Sequence, residues 1–318
     1  MTGILQRGWI QGLNVTWTLG KVIFPVTLIV TILRYTPILP WVIDLIAPVM
    51  KFLGLPGQAA VPLVLGNFLN LYAGIAAIIS FDFTVKEVFI LAVMLSFSHN
   101  LLIETTVASR VGVGWWFVIG IRLGLAFISG LTINIVWNGG GDQADYGLTP
   151  QTNSMPQGWG EIIVQGLQTA LMGIVQLALI VIPLMIFMQY LREKGWLNIF
   201  SSWVAPFTKF LGMERNTSMT LAAGLTIGLA YGAGLMIQAV KEDGVSKKDM
   251  YLAMIFLVSC HAVIEDTLIF IPLGIPVLPL LAFRLVTAIL LTAAVGFIWN
   301  RLQQEREDTL HERKYNSF

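Results

Sequence analysis

The chain has 318 residues, of which 56% are hydrophobic and 12% charged, and its mean hydropathy is +0.77. A soluble domain carries about 25% charged residues, so this composition excludes a water-soluble globule and calls for a lipid bilayer as partner. A net charge of +1 with no basic stripe interleaved with aromatics excludes nucleic acid, and the single cysteine, Cys260, excludes an intrachain disulfide framework.

A hydrocarbon core of about 30 Å takes roughly 20 apolar residues per helix. The sequence therefore predicts an all-α integral membrane fold of about ten hydrophobic helices. MTGILQRGWIQGLN has no small-residue cleavage site behind a short apolar core, so the first apolar stretch is expected to stay in the membrane. In chain order the segments fall at about 12–34, 38–54, 60–80, 86–108 and 113–137, then at about 161–191, 196–211, 218–240, 249–271 and 276–299. Those at 38–54 and 196–211 are short and marked by proline, and spanning and re-entrant arrangements both stay open for them. Residues 138–160 hold two Asp and no Lys or Arg, and read as an outward-facing linker. Lys241, Lys247 and Lys248, with Arg301, Arg306, Arg313 and Lys314 in the tail 300–318, are expected in the cytoplasm by the positive-inside rule. Both termini then lie on that side.

The halves repeat. APVMKFLG at 47–54 returns as APFTKFLG at 205–212, and the same offset of 158 superposes Pro25 on Pro183 and Gly66 on Gly224. Further on, an offset of 161 lays residues 85–106 over 246–267, matching His99 with Cys260, Asn100 with His261, Glu104 with Glu265 and Thr105 with Asp266. One more inserted residue brings Arg122 over Arg284. The organisation predicted is a first repeat at 1–137, the linker at 138–160, and a second repeat at 161–299. Five segments per copy is odd, so the second copy enters the membrane from the opposite side and the repeat is inverted, as in many secondary transporters.

Ionisable residues in a bilayer core cost at least about 2.5–3.5 kcal/mol each on insertion scales, which makes them functional candidates. His261 and Glu265 share a helix face with Asp266 beside them; Asn100 and Glu104 share the equivalent face with His99 beside them. Arg122 and Arg284 lie inside the next segments, and the economical pairing is Glu104 with Arg122 and Glu265 with Arg284, pairing across the copies being equally open. Two of the three histidines fall in these sets, where a neutral imidazole is able to ligate a metal, carry a proton or bind a polar solute. His261, Glu265 and Cys260 are the metal candidates. Asn67, Asn70 and Gln238, on the preceding Gly-rich segments, complete the expected substrate or ion ligands. The same residues also suit a buried ion-pair clamp that only fixes helix register.

SFSHNLLIETT and SCHAVIEDT, each behind a Gly-rich helix, resemble the nucleoside-recognition (Gate) domain family. That family is related to spore-maturation proteins and to the membrane modules of nucleoside and ferrous-iron transporters. The resemblance covers most of the chain as two Gate-like copies and implies a prokaryotic inner-membrane protein of transporter-like architecture. No G-x-x-x-x-G-K-[ST] phosphate loop is present, so energy from nucleotide hydrolysis would need another subunit. The leading expectation is a secondary transporter that moves a small polar or charged solute (a nucleoside-like compound, a metal ion or an organic anion) across the cytoplasmic membrane by alternating access. The alternative is a non-transporting scaffold or regulatory partner of the spore-maturation type. A homodimer or a membrane partner protein fits either reading. Neither HExxH nor GxSxG occurs, so no enzyme and no cofactor is expected.

Overall fold

Apolar runs become long helices where nothing interrupts them, and the interruptions decide this fold. The computed structural model describes residues 2–36, 38–147, 158–229, 236–237 and 244–315. Among these there is no strand beyond one isolated bridge between Thr84 and Gln143. The first half contains α1 (Thr2–Arg34), α2 (Ile38–Phe52), α3 (Ala60–Phe68), α4 (Leu71–Ile79), α5 (Val85–Ser98), α6 (Leu101–Arg110) and α7 (Trp115–Val136). The second contains α8 (Trp159–Glu193), α9 (Trp196–Phe210), α10 (Ser218–Ile227), α11 (Lys247–Ser259), α12 (Glu265–Leu268) and α13 (Val277–Tyr315).

Among the described residues, five stretches are long and apolar enough to cross a membrane: Gly3–Leu33, Val85–Arg110, Trp115–Val136, Trp159–Leu191 and Val277–Glu305. A sixth arises only if Ile43–Phe52 and Gly57–Phe68, bent by 93°, count as one. This departs from the expected ten. The apolar run 60–80 is a helical hairpin rather than one span, because α3 ends at Phe68 and Asn70 caps a new helix by accepting a 2.9 Å hydrogen bond from the Ala73 amide. Each arm has nine residues and rises about 13.5 Å, half a bilayer. The arms touch backbone to backbone: a Cβ on Gly74 would sit 3.1 Å from the Gly66 Cα. In the second half α10 stops at Gly228, whose φ of +89° suits glycine alone.

Helices α1 and α8 pack along their length and run antiparallel. Arg7 pairs with Glu193 at one end, Tyr35 donates to Gln165 at the other, and between them Gly8 and Gly12 lie against the backbone of Ile186 and Ile182. Inside the molecule stands the α5–α6 unit, with 83% of its most apolar window buried against 22–33% for the other four spans. Helix α5 packs on α7 and α13, and α11 packs on α13 and α7, so the two inner helices share the same pair of neighbours.

Candidate functional site

Both inner helices are broken where the sequence places a histidine. The α5 helix ends at His99, and Asn100 turns the chain through the left-handed region (φ +51°) before α6 begins. The α11 helix ends at Cys260, and Ala262 takes the same turn (φ +42°). The first turn is pinned to α3 by one bond, the Asn100 amide donating to the Gly66 carbonyl at 3.0 Å, and the second to α10 by two, the Ala262 amide donating to the Gly224 carbonyl at 3.0 Å and the Val263 amide to the Leu225 carbonyl at 2.8 Å.

Breaking a helix in a dry interior strands its last carbonyls. The arginines answer that. Arg122, fully buried on α7, donates from Nε to the Phe97 carbonyl (2.8 Å) and from Nη2 to the His99 carbonyl, and its Nη2 lies 2.8 Å from Glu104 Oε2. Arg284, fully buried on α13, donates from Nη2 to the His261 carbonyl (2.9 Å) and to Asp266 Oδ2 (3.1 Å). A guanidinium at a helix C-terminus also offsets the negative end of the helix dipole. Among the described residues, Arg122 Nη1 and Arg284 Nε and Nη1 have no hydrogen-bond partner.

The histidines complete the centre. His99 Nδ1 donates to the Leu95 carbonyl at 2.7 Å and His261 Nδ1 to the Leu257 carbonyl at 2.8 Å. A carbonyl only accepts, so the proton on Nδ1 is fixed and Nε2 faces the centre. There His99 Nε2 lies 3.4 Å from Glu104 Oε1 and 3.9 Å from Asp266 Oδ2, while His261 Nε2 lies 3.3 Å and 3.5 Å from the same two atoms. The rings sit 5.2 Å apart between centroids. None of these four side chains is more than 6% exposed as a residue, so solvent is excluded.

This geometry corrects the register read from the sequence. The equivalent pairs are Thr84 and Ser246 as helix caps, Leu95 and Leu257, His99 and His261, Asn100 and Ala262, Glu104 and Asp266, and Arg122 and Arg284, all at an offset of 162. The offset of 161 follows chemical identity, aligning Glu with Glu, whereas the structure aligns the helix breaks. Arg284 accordingly pairs with Asp266, not with Glu265. Glu265 turns away and accepts a 2.6 Å hydrogen bond from the Tyr72 hydroxyl on α4.

The other candidates separate in the same way. Asn70 is spent as a helix cap, Asn67 donates to the Leu63 carbonyl one turn back, and Asn100 serves as the turn residue without a side-chain cap. Gln238 lies outside the described residues. Of the metal candidates only His261 stands in the metal-capable group among the described residues, which is His99, His261 and Asp266; Cys260 is buried and free beside it. What the sequence reading missed is the part played by the backbone carbonyls of Phe97, His99 and His261. The available signal was the common offset of 162 shared by the histidines and the arginines.

A family model described as nucleoside recognition (Gate) matches residues 16–116 and 174–287. A relative in Bacillus subtilis (strain 168), the uncharacterized membrane protein YvoD, is 58% identical over 301 residues, which cover 95% of this chain and 96% of the relative. No solved structure matches the chain.

Proposed function

The chain belongs to the Gate (nucleoside recognition) family of membrane proteins, and from its paired helix breaks we propose that it is a secondary transporter carrying a small polar or charged solute across the cytoplasmic membrane by alternating access. The observation that carries this reading is the meeting of two broken helices at one buried cluster of two His, two carboxylates and two Arg. Broken inner helices expose backbone groups to a solute at mid-membrane depth, the arrangement transporters use at their binding sites. Charges are costly at that depth and are kept where they serve a pathway. Helix α1 with the α5–α6 unit and α7, and α8 with α13, are the five membrane-length stretches; if α11–α12, the counterpart of α5–α6, crosses as well and the other short helices return to the side they left, each half has three crossings. Three is odd, which supports an inverted repeat, as does the antiparallel course of α1 and α8. Both termini and the Lys247 and Lys248 loop then face the cytoplasm. In this reading the chain is no enzyme.

One observation favours the scaffold alternative. Arg122 and Arg284 cap the breaks, a service that a static clamp would need as well. Proteoliposome uptake separates the two readings. Counterflow of a nucleoside, a divalent cation or an organic anion, driven by a pH or sodium gradient and lost in Glu104→Gln, is expected of a transporter. No counterflow of any of these, with the variant altering thermal stability alone, would leave the clamp.

A further inference from the structure

We infer that the centre is a site for a divalent transition-metal cation, with His99 Nε2, His261 Nε2 and Asp266 Oδ2 as ligands and Glu104 Oε1, next to both rings, closing on the ion as the fourth. The distances carry the argument. A hydrogen bond from a ring N–H to a carboxylate runs at about 2.7–3.2 Å, and all four N···O separations here are longer, at 3.3, 3.4, 3.5 and 3.9 Å. Metal–nitrogen and metal–oxygen bonds of about 2.0–2.2 Å place tetrahedral ligands about 3.3–3.6 Å apart. Three of the four imidazole–carboxylate edges fall in that interval; His99, His261 and Asp266 already lie close enough together to share one ion, and Glu104, beside both rings, has to move in to complete the set.

The supporting shell agrees. Each ligating imidazole donates its other N–H to a backbone carbonyl, the usual means of fixing a ring for metal binding. With Nε2 bare, rings so fixed would aim two nitrogen lone pairs at two carboxylate oxygens, a repulsion that a metal cation between them removes. Arg122 and Arg284 hold the carboxylates from behind, and their own charge is partly met by the carbonyl ends of the broken helices. Two imidazoles with two carboxylates and no thiolate suit zinc, iron or manganese in the divalent state more than copper(I). Glu265, taken by Tyr72, and Cys260 are not ligands.

The assignment draws on the transport reading only for why a cation should reach a sealed centre. The test uses the full-length protein in detergent, stripped with chelator and then given Zn2+ or Co2+. The expected result is one Zn2+ retained per chain, the intense visible absorption of tetrahedral Co2+, and a zinc X-ray absorption spectrum with nitrogen and oxygen neighbours only. His99→Gln and His261→Gln should each weaken binding by more than the roughly 10–100-fold that follows loss of a supporting contact, while Cys260→Ser leaves it unchanged. Absence of retained zinc in the wild type, a sulfur neighbour, or folded His variants that bind as tightly would overturn the site. The wild-type spectra decide the matter even if both His variants fail to fold. Zinc held by a chain that moves neither zinc nor a nucleoside nor an organic anion across proteoliposomes keeps the site and removes the transport reading; flux of another solute by a chain that retains no metal does the reverse.

Discussion

In the first half the chain leaves α5 at His99 and regains helix at Leu101, with two buried carbonyls taken by one arginine. In the second half it leaves α11 at Cys260 and regains helix only at Glu265, for a single turn, with one carbonyl taken by the corresponding arginine. The same polar scheme is thus held by a short break with two arginine-capped carbonyls and one backbone bond to α3 on one side, and by a longer break with one arginine-capped carbonyl and two backbone bonds to α10 on the other. The first break leans on its arginine and the second on its neighbouring helix, so the arginine is expected to matter more to stability in the first half.

Four substitutions test that contrast. The largest effect is expected for Arg122→Ala, which leaves Glu104 buried without a counter-charge and two carbonyls uncapped; losing one partner of a buried pair costs about 3–5 kcal/mol. Arg284→Ala should fall at the lower end of that range, measured by thermal unfolding in detergent. Equal or reversed losses would break the contrast. Next comes the packing beneath each break. A methyl on Gly224 would meet three Leu257 side-chain atoms within 2.9 Å, whereas one on Gly66 would meet a single Leu95 atom at 2.4 Å with the next at 3.5 Å. Overpacking costs about 1–3 kcal/mol, and Gly224→Ala should lose more than Gly66→Ala in the same assay.

A smaller effect of opposite sign is expected at the turns. An L-residue in the left-handed region costs roughly 1–2 kcal/mol, which asparagine tolerates better than alanine. Ala262→Gly should therefore raise the unfolding temperature, while Asn100→Gly leaves it nearly unchanged; a gain at Asn100 alone would contradict the equivalence of the two turns. The smallest effect is expected at the exposed end of the α1–α8 pair. There hydrogen bonds from Arg7 and then Gln189 hold the Glu193 carboxyl below its ordinary range. A depressed carboxylate stabilises above its unfolded pKa and stops doing so as pH falls through the folded one. Glu193→Gln should thus have little effect near neutral pH and none in acid, followed by unfolding temperature against pH.

Much of the centre was legible because ionisable residues stand out in apolar runs. Glu104, Arg122, His99, His261, Asp266 and Arg284 could all be picked from the sequence, and the Glu104–Arg122 contact is among the pairs the sequence suggested. The partner of Arg284 was not legible, since Glu265 and Asp266 are neighbours and only the position of the break decides which one points inward. Hydropathy also hides a hairpin: the run 60–80 is as apolar as a crossing helix, and the reversal rests on Leu69 and Asn70 alone. The motif ending at Gly54 and Gly212 was readable as a repeat. What it does was not, namely to seat a turn of positive φ against Asn134 in one half and Gly296 in the other.

The sharing of the centre bears on the order of assembly during synthesis. Glu104 finds Arg122 within its own half, and Asp266 finds Arg284 within its own, so each half pairs its buried arginine as soon as it is made. His99 has to wait for Asp266, and Glu104 for His261, until the last third of the chain has left the ribosome. The halves can therefore enter the membrane one after the other, each with its buried arginine already paired, and the contacts between the halves close the centre last.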